Sequence, residues 1–323
     1  MIHEMIAERA VFTPQNGEKF DLVIIGAGPA GMSAALCAGR AHLKTLILEK
    51  ALPGGQIGTA YTIKNYLGFS KDILGEQLAL KMEAQLDKYD LYYSRETVLD
   101  IEACPNELKV VQTDANHFYL TKTVIIATGL EPKKLETDFE KAFLGRGLSY
   151  YAQSDWKSYR NKNVAVIGGG NCACYAADFL AEYANHVYVI HRFDTLKAVK
   201  SLKEKILNNP KITVLWQSEV VEAFGLKKLE KIRCTNAVTQ NATWIEVQGM
   251  FVYIGRIPPK EILHMGMALD EEGYVVTDET MRTSLKGIYA AGDIRSKQIR
   301  QIATAVADGM IAAINAEREV SRL

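Results

Sequence analysis

The segment beginning at Asp21, DLVIIGAGPAGMSAALCAGRAHLKTLILEK, aligns without a gap on the segment beginning at Asn163, NVAVIGGGNCACYAADFLAEYANHVYVIHR. Each reads as a short β-rich run, a glycine turn, an Ala-rich helix and a second β-rich run. That is a βαβ unit with parallel strands and a helical crossover. Two copies, offset by 163 − 21 = 142 residues, predict two dinucleotide-binding sites in one chain. Two further apolar runs end in or near glycine, TVIIATG at 123–129 and MFVYIGR at 250–256. They read as strands that carry the chain between domains. GIYAAGD at 287–293 followed by a helix from about Gln298 to Ala316 reads as a last βα unit. Before the first repeat, Ile2, Met5, Ile6 and Ala10 fall at helical spacing, which suggests a packed amphipathic segment within the extension 1–20.

The first turn is Gly26-x-Gly28-x-x-Gly31, directly after the apolar run Leu22–Ile25. Glycine permits the tight turn, the approach of backbone to a pyrophosphate and the close packing of helix on strand. The helix N-terminus then presents unpaired N–H groups to the phosphates. Glu49 ends the second strand, 49 − 26 = 23 residues after Gly26. A carboxylate at that place accepts hydrogen bonds from a ribose diol. The second turn, Gly168-Gly169-Gly170-Asn171-Cys172-Ala173, has the form G-x-G-x-x-A. His191 stands where Glu49 stands in the first copy, and Arg192 follows it. An acid repels a 2′-phosphate and a basic pair attracts one, so this site leans towards NADP(H). Lys197 adds charge nearby. A solvated strand end is the plainer reading of the same residues.

Composition excludes several classes of function. With 38 basic and 38 acidic residues, the chain lacks the basic footprint that nucleic acid or an anionic membrane requires. No apolar run approaches the roughly 18 residues of a membrane span, and a signal peptide is not expected. The six histidines are scattered and no Cys/His cluster occurs, so no metal is expected. Five cysteines, Cys37, Cys104, Cys172, Cys174 and Cys234, are an odd and sparse set that suits a reducing cytoplasm. No pair has C-x-x-C spacing.

Taken in order along nearly the whole chain, these motifs resemble the thioredoxin-reductase-like flavoproteins. The matching elements are GAGPAG at 26–31 with Glu49, PGGQ at 53–56, NYLGF at 65–69 and ATG at 127–129. They continue with GGG at 168–170, His191-Arg192, AGD at 291–293 and Arg300-Gln301-Ile302. The resemblance implies an α/β fold of two Rossmann-like three-layer dinucleotide-binding domains, the second inserted into the first. Residues 1–131 and 254–323 would form an FAD domain, and 132–253 a pyridine-nucleotide-type domain. It also implies a homodimer, and rotation between domains during turnover. Gly26, Gly28, Ala30 and Gly31 would cradle the FAD pyrophosphate, and Glu49 the adenosine ribose. Gly55, Gln56, Asn65, Thr128 and Gly129 would lie along the cofactor. Gly292 and Asp293 would contact its ribityl-phosphate region. Arg300, Gln301 and Ile302 would lie at the pyrimidine end, where a helix N-terminus favours the negative charge of reduced flavin. Gly168, Gly170, Asn171, His191 and Arg192 would hold the second dinucleotide, NADP(H) or a second FAD.

The sequence departs from that family at the chemistry. Thioredoxin reductases carry a redox C-x-x-C in a motif of the form GxSxCATCDG. Here residues 147–155 read GLSYYAQSD, with Tyr151 and Ser154 at the two cysteine positions and Asp155 retained. Thiol–disulfide exchange needs a thiolate and a second sulfur, which tyrosine and serine cannot supply. Tyr151 would instead cover the flavin or merely fill space. The family's HRRxxxR is also eroded, to His191-Arg192-Phe193-Asp194-Thr195-Leu196-Lys197, and Lys lacks the bidentate fork of Arg. One replacement dithiol offers itself, Cys172 with Cys174, at the start of the second helix, where a thiol's pKa is lowered. A C-x-C pair of this kind resembles the diflavin-linked disulfide oxidoreductases. Against it, positions i and i+2 of a helix point about 200° apart, and cysteine is also a small core residue.

Three functions follow as expectations. The first is a disulfide oxidoreductase using Cys172/Cys174, with a thioredoxin-like partner. The second is a thiol-independent reductase exchanging electrons between NAD(P)H and ferredoxin, flavodoxin or a quinone. The third is a non-catalytic flavin-binding sensor.

Overall fold

The computed structural model describes residues 12–60, 62–104, 107–259 and 266–322. The amphipathic segment expected at Ile2, Met5, Ile6 and Ala10 lies outside the described residues. Two compact units make up the chain, residues 1–131 with 258–323, and residues 132–257.

In the first unit the chain begins with β1 (Lys19–Ile25), α1 (Pro29–Arg40) and β2 (Thr45–Leu48). The strands β3 (Leu91–Ser94), β4 (Val98–Ala103), β5 (Lys109–Thr113) and β6 (Phe118–Ile126) follow. A returning strand, Ile288–Ala290, and a long C-terminal helix, Ile302–Val320, complete it. The parallel part of the sheet runs β3-β2-β1-β6, with the returning strand outside β6. β5 and β4 extend the first half of β6 as an antiparallel meander. Alternation of side chains across the sheet creates two cores. Leu22, Ile24, Ile47 and Ile125 face the alanines of α1 and of the C-terminal helix. Val23, Leu46, Leu48 and Val124 face Val98, Ile101 and Val111 on the other side. The result is three layers.

The second unit repeats this plan with different walls. It contains β7 (Leu148–Ser149), β8 (Asn163–Ile167), α2 (Asn171–Tyr183), β9 (His186–Ile190) and β10 (Ile212–Leu215). An antiparallel sheet follows, β11 (Ser218–Phe224), β12 (Lys231–Asn236) and β13 (Ala242–Glu246), and then β14 (Gly249–Val252). The parallel sheet has the order β7-β14-β8-β9-β10. Val164, Val166, Val187 and Val189 pack on α2, while Ala165, Ile167 and Ile190 pack against Ile232 and Cys234 of the antiparallel sheet. Among the described residues, no helix is long and apolar enough to cross a membrane.

The C-terminal helix starts and ends four residues later than its hydrophobic pattern suggests, at Ile302 and Val320. The cause is local. Gln301 is the N-cap and exchanges hydrogen bonds with Thr304 in a capping box, which fixes the first turn. Arg300 is held back in the loop, with its guanidinium donating to the Asp293 and Arg295 carbonyls.

Candidate functional sites

In a parallel α/β sheet, ligands bind beyond the carboxyl ends of the strands, where the strand order reverses. In the first unit, register brings Ile25 level with Leu48 on one side and Ile126 on the other. The residues that follow, Gly26, Glu49 and Ala127, therefore emerge side by side. Gly26 turns with φ +103°, and a Cβ there would lie 2.5 Å from the Ala127 carbonyl oxygen. A Cβ on Gly31 would run into the carbonyl oxygen of Gly26. Protein packing alone therefore requires glycine at both places. Gly28 is different. Its backbone is extended (φ −75°), and a Cβ would meet only the Gly55 Cα, at 4.0 Å. Nothing in the protein needs that space to be free.

Glu49 reaches back over this turn. Its Oε2 accepts from the Ala27 N–H at 2.7 Å and its Oε1 from the Ala51 N–H at 2.9 Å, leaving lone pairs for further donors. The PGGQ loop is tied to the turn by the Gly54 N–H donating to the Ala27 carbonyl, 2.8 Å. A Cβ on Gly55 would lie 3.2 Å from the Gly28 Cα. Thr128, in the loop after β6, has its Oγ1 buried without a hydrogen-bond partner. A buried polar atom of this kind is costly unless a ligand or ion satisfies it. Farther along, the Asn65 Nδ2 donates to the Gln301 Oε1 at 2.8 Å, joining two residues that lie 236 positions apart in the chain. Ile302 rests on the small cluster Ile57, Ile73, Leu78 and Ala79. Gly129 (φ +63°) lies beside the amide of Gln56. Arg300, expected at the cofactor, braces its own loop. Its Nε and Nη2 donate to the two loop carbonyls, and its guanidinium stacks 3.8 Å from the centroid of Tyr274.

The second unit repeats the turn. Ile167 is level with Ile190 and with Val252, so Gly168, His191 and Tyr253 emerge together. Gly168 has φ +131°, and a Cβ there would run into the Tyr253 carbonyl oxygen. A Cβ on Gly170, the N-cap of α2, would meet nothing within 4 Å. Asn171 anchors the turn by accepting from the Val199 N–H, 2.9 Å.

Two expectations for this unit are corrected. The first concerns His191. The ring is buried, it packs against Gly169 so that a Cβ there would lie 2.5 Å from Nδ1, and its Nε2 lies 3.1 Å from the Thr195 carbonyl oxygen. Burial lowers its pKa, and Lys197 and Arg192 lower it further. His191 is thus a neutral packing residue and not a cation for a phosphate. The exposed cations are Arg192 and Lys197, whose charged groups lie 4.9 Å and 4.5 Å from the centroid of the Phe193 ring.

The second correction concerns the dithiol. Cys174 is fully buried in the core of α2 and faces the Gly169 carbonyl oxygen at 4.0 Å, whereas Cys172 is exposed, and both are free thiols. Burial pushes the Cys174 thiol up to about 11, which suppresses the thiolate that exchange requires. The helix is regular through Asn171–Tyr183, so the two sulfurs leave it on different sides. Cys172/Cys174 is not a redox pair in this structure.

Tyr151 and Ser154 are exposed; Tyr151 is the N-cap of a single helical turn, Ala152–Asp155, and Ser154 lies within it. Asp155 donates its N–H to the Tyr151 carbonyl at 3.3 Å. Sequence reasoning missed the residue that holds this turn. The Tyr253 hydroxyl accepts from the Ala152 N–H at 3.1 Å, and burial raises its pKa to about 12. Only its place just after β14 marked it.

Two glycine turns at the carboxyl ends of parallel strands, each leading into a helix N-terminus with open space beside its second glycine, define a protein with two dinucleotide-type folds. Comparison with known proteins agrees. The model of the pyridine nucleotide-disulphide oxidoreductase family matches residues 20–309, and the chain belongs to that family. A thioredoxin reductase of Listeria innocua is 40% identical over 306 residues, 94% of this chain and 95% of the relative. A Clostridium pasteurianum protein described as the 34.2 kDa protein in the rubredoxin operon is 39% identical over 303 residues, 94% of this chain and 98% of the relative. The crystal structure of Lactococcus lactis thioredoxin reductase in its FR conformation superposes with a TM-score of 0.89 at 38% identity, covering 94% of this chain and all of that one. The chain is accordingly an FAD-dependent oxidoreductase of the thioredoxin-reductase-like type. The first turn fits FAD on this structure's own terms, through the open backbone at Gly28 and the unsatisfied Thr128 hydroxyl.

Proposed function

We propose that residues 1–131 with 258–323 hold FAD, that residues 132–257 receive NADP(H), and that the acceptor takes electrons without any dithiol of this chain. The acceptor class that fits is a small one-electron redox protein such as a ferredoxin or flavodoxin. Bound FAD supplies acceptance of a hydride and release of electrons singly or in pairs. The protein's part is to bind and orient. Backbone N–H groups at the start of α1 face the phosphates, and Glu49 accepts ribose hydroxyls with its remaining lone pairs. Thr128 Oγ1 gains the partner it lacks, and Gln301 holds Asn65 at the start of the C-terminal helix. In the second unit a 2′-phosphate would rest on Arg192 and Lys197, since neutral His191 offers no charge.

One observation carries this reading. The two cysteines beside the second turn are divided between the core (Cys174) and the surface (Cys172), and oxygen side chains occupy 151 and 154. A homodimer is part of the proposal, with a second copy covering the exposed apolar face Met310, Ile311 and Ile314 of the C-terminal helix. The unpaired thiols suit a reducing cytoplasm.

The test is an anaerobic reductive titration followed by mixing with oxidised ferredoxin, flavodoxin or thioredoxin. Uptake of two electrons per chain is expected, with NADPH preferred over NADH. Reduction of the one-electron acceptor should be unchanged in Cys172→Ser. Uptake of four electrons, or loss of all acceptor reduction in Cys172→Ser, would restore a thiol mechanism and end this one.

A further inference from the structure

On the buried face of the C-terminal helix, Asp308 lies beside the Gly292–Asp293 turn of the first unit. Its side chain is about 10% exposed, and it is the centre of three polar contacts. Its Oδ1 pairs with the Arg295 guanidinium at 2.8 Å. Its Oδ2 accepts from Lys297 Nζ at 2.7 Å and from the Gly292 N–H at 3.1 Å. Both cations are themselves largely buried, with side chains 12% and 13% exposed. Gly292 holds a left-handed backbone (φ +83°), with a would-be Cβ 2.9 Å from that of Ala30 on α1. The carboxylate thus pins the turn that carries Asp293. A relay extends from Lys297. Lys297 Nζ also reaches Thr304 Oγ1 at 3.4 Å, and Thr304 forms the capping box with Gln301. Gln301 in turn accepts from Asn65 at 2.8 Å.

Resting on the assignment of FAD to this unit, we propose that Asp308 is a positioning residue that sets both ends of the flavin half of the site. Directly it sets the Gly292–Asp293 turn, and through Lys297 and Thr304 it sets the Gln301–Asn65 pair. A charged acceptor that holds three donors in a water-poor place cannot be replaced by water without loss of geometry. The two arms make the inference specific. Removing Asp308 should disturb both ends, whereas removing Lys297 should disturb only the Gln301 end.

The experiment uses the full chain stripped of flavin and titrated with FAD. Asp308→Ala should raise the FAD dissociation constant roughly tenfold or more and alter the visible circular dichroism of bound flavin. Asp308→Asn, which keeps an acceptor for Gly292, should fall between it and the parent. Lys297→Met should alter the visible dichroism with less than about a threefold change in affinity. Thermal unfolding of each flavin-free protein separates a scaffold effect. A lower midpoint in Asp308→Ala with parental FAD affinity and dichroism would overturn the proposal. Should Asp308→Ala not fold, parental affinity and dichroism in both Asp308→Asn and Lys297→Met would overturn it equally. Failure of the parent apoprotein to bind FAD would instead remove the cofactor assignment on which it rests.

Discussion

The two glycine turns have nearly the same backbone and opposite chemistry. Gly26 and Gly168 both turn at positive φ against the carbonyl of the neighbouring strand, Ala127 in one unit and Tyr253 in the other. Gly28 and Gly170 both begin a helix with open space beside them. The difference lies in what returns from the second strand. In the first unit a carboxylate returns and accepts the Ala27 N–H. In the second a neutral imidazole returns and lies flat enough on the turn to demand glycine at 169. The repeated element builds the cradle, and one side chain at the strand end decides which ligand chemistry it presents.

The largest effect should come from breaking the first turn's packing. Gly31→Ala places a methyl on the Gly26 carbonyl, and the stability of the flavin-free protein should fall by about 3 kcal/mol or more in urea unfolding. Gly28→Ala, three residues earlier, meets only the Gly55 Cα. Its flavin-free stability should stay within about 0.5 kcal/mol, while FAD affinity drops. Equal losses of stability in the two variants would show that Gly28 also serves the protein's own packing.

A smaller effect tests the second turn. Gly169→Ala should cost about 2 kcal/mol because the His191 ring fills the space for a Cβ. In a double-mutant cycle His191→Ala should recover a large part of that loss. Additive losses would mean that the ring moves aside without cost.

The smallest effect is a pH dependence confined to the second unit. Burial lowers the His191 pKa, with Lys197 and Arg192 adding to it. Below the ordinary histidine value of about 6.5, the unfolded chain binds a proton that the folded protein refuses. Stability is therefore fully present above that value and is lost as pH falls through and below it. Between about pH 7.5 and pH 5.5, the parent should lose more stability than His191→Gln. Carboxylates whose pKa values are lowered, such as Glu96, Asp270 and Asp278, are common to both proteins and cancel. Superimposable pH profiles would place a charged His191 in the folded state.

Much of the fold is legible in the sequence. The repeat at Asp21 and Asn163 located both turns, because a glycine turn between strand and helix has few other uses. The place of Glu49 beside the first turn was legible from its position at the end of the second strand, whereas its bonds to the Ala27 and Ala51 N–H groups were not. The dithiol reading of Cys172 and Cys174 did not survive, because spacing reports proximity along a helix and not direction or burial. His191 was misjudged for a related reason. Its charge depends on solvent, and packing against Gly169 removes that solvent, which no pattern in 191–197 announced. Asp308 was not legible at all, since an acid on a helix is ordinarily a solvent-facing residue.

By itself the sequence determined the two βαβ units, the glycine requirement at each turn and the loss of the dithiol at 151 and 154, since these follow from residue type and local backbone rules. Tertiary structure alone decided that Cys174 is core and Cys172 surface, that His191 is neutral, that Arg300 braces a loop, and that Asp308 joins Gly292 to Lys297. Each of these depends on which distant segments exclude water from a side chain, and burial sets both the charge a group carries and the partners it must have.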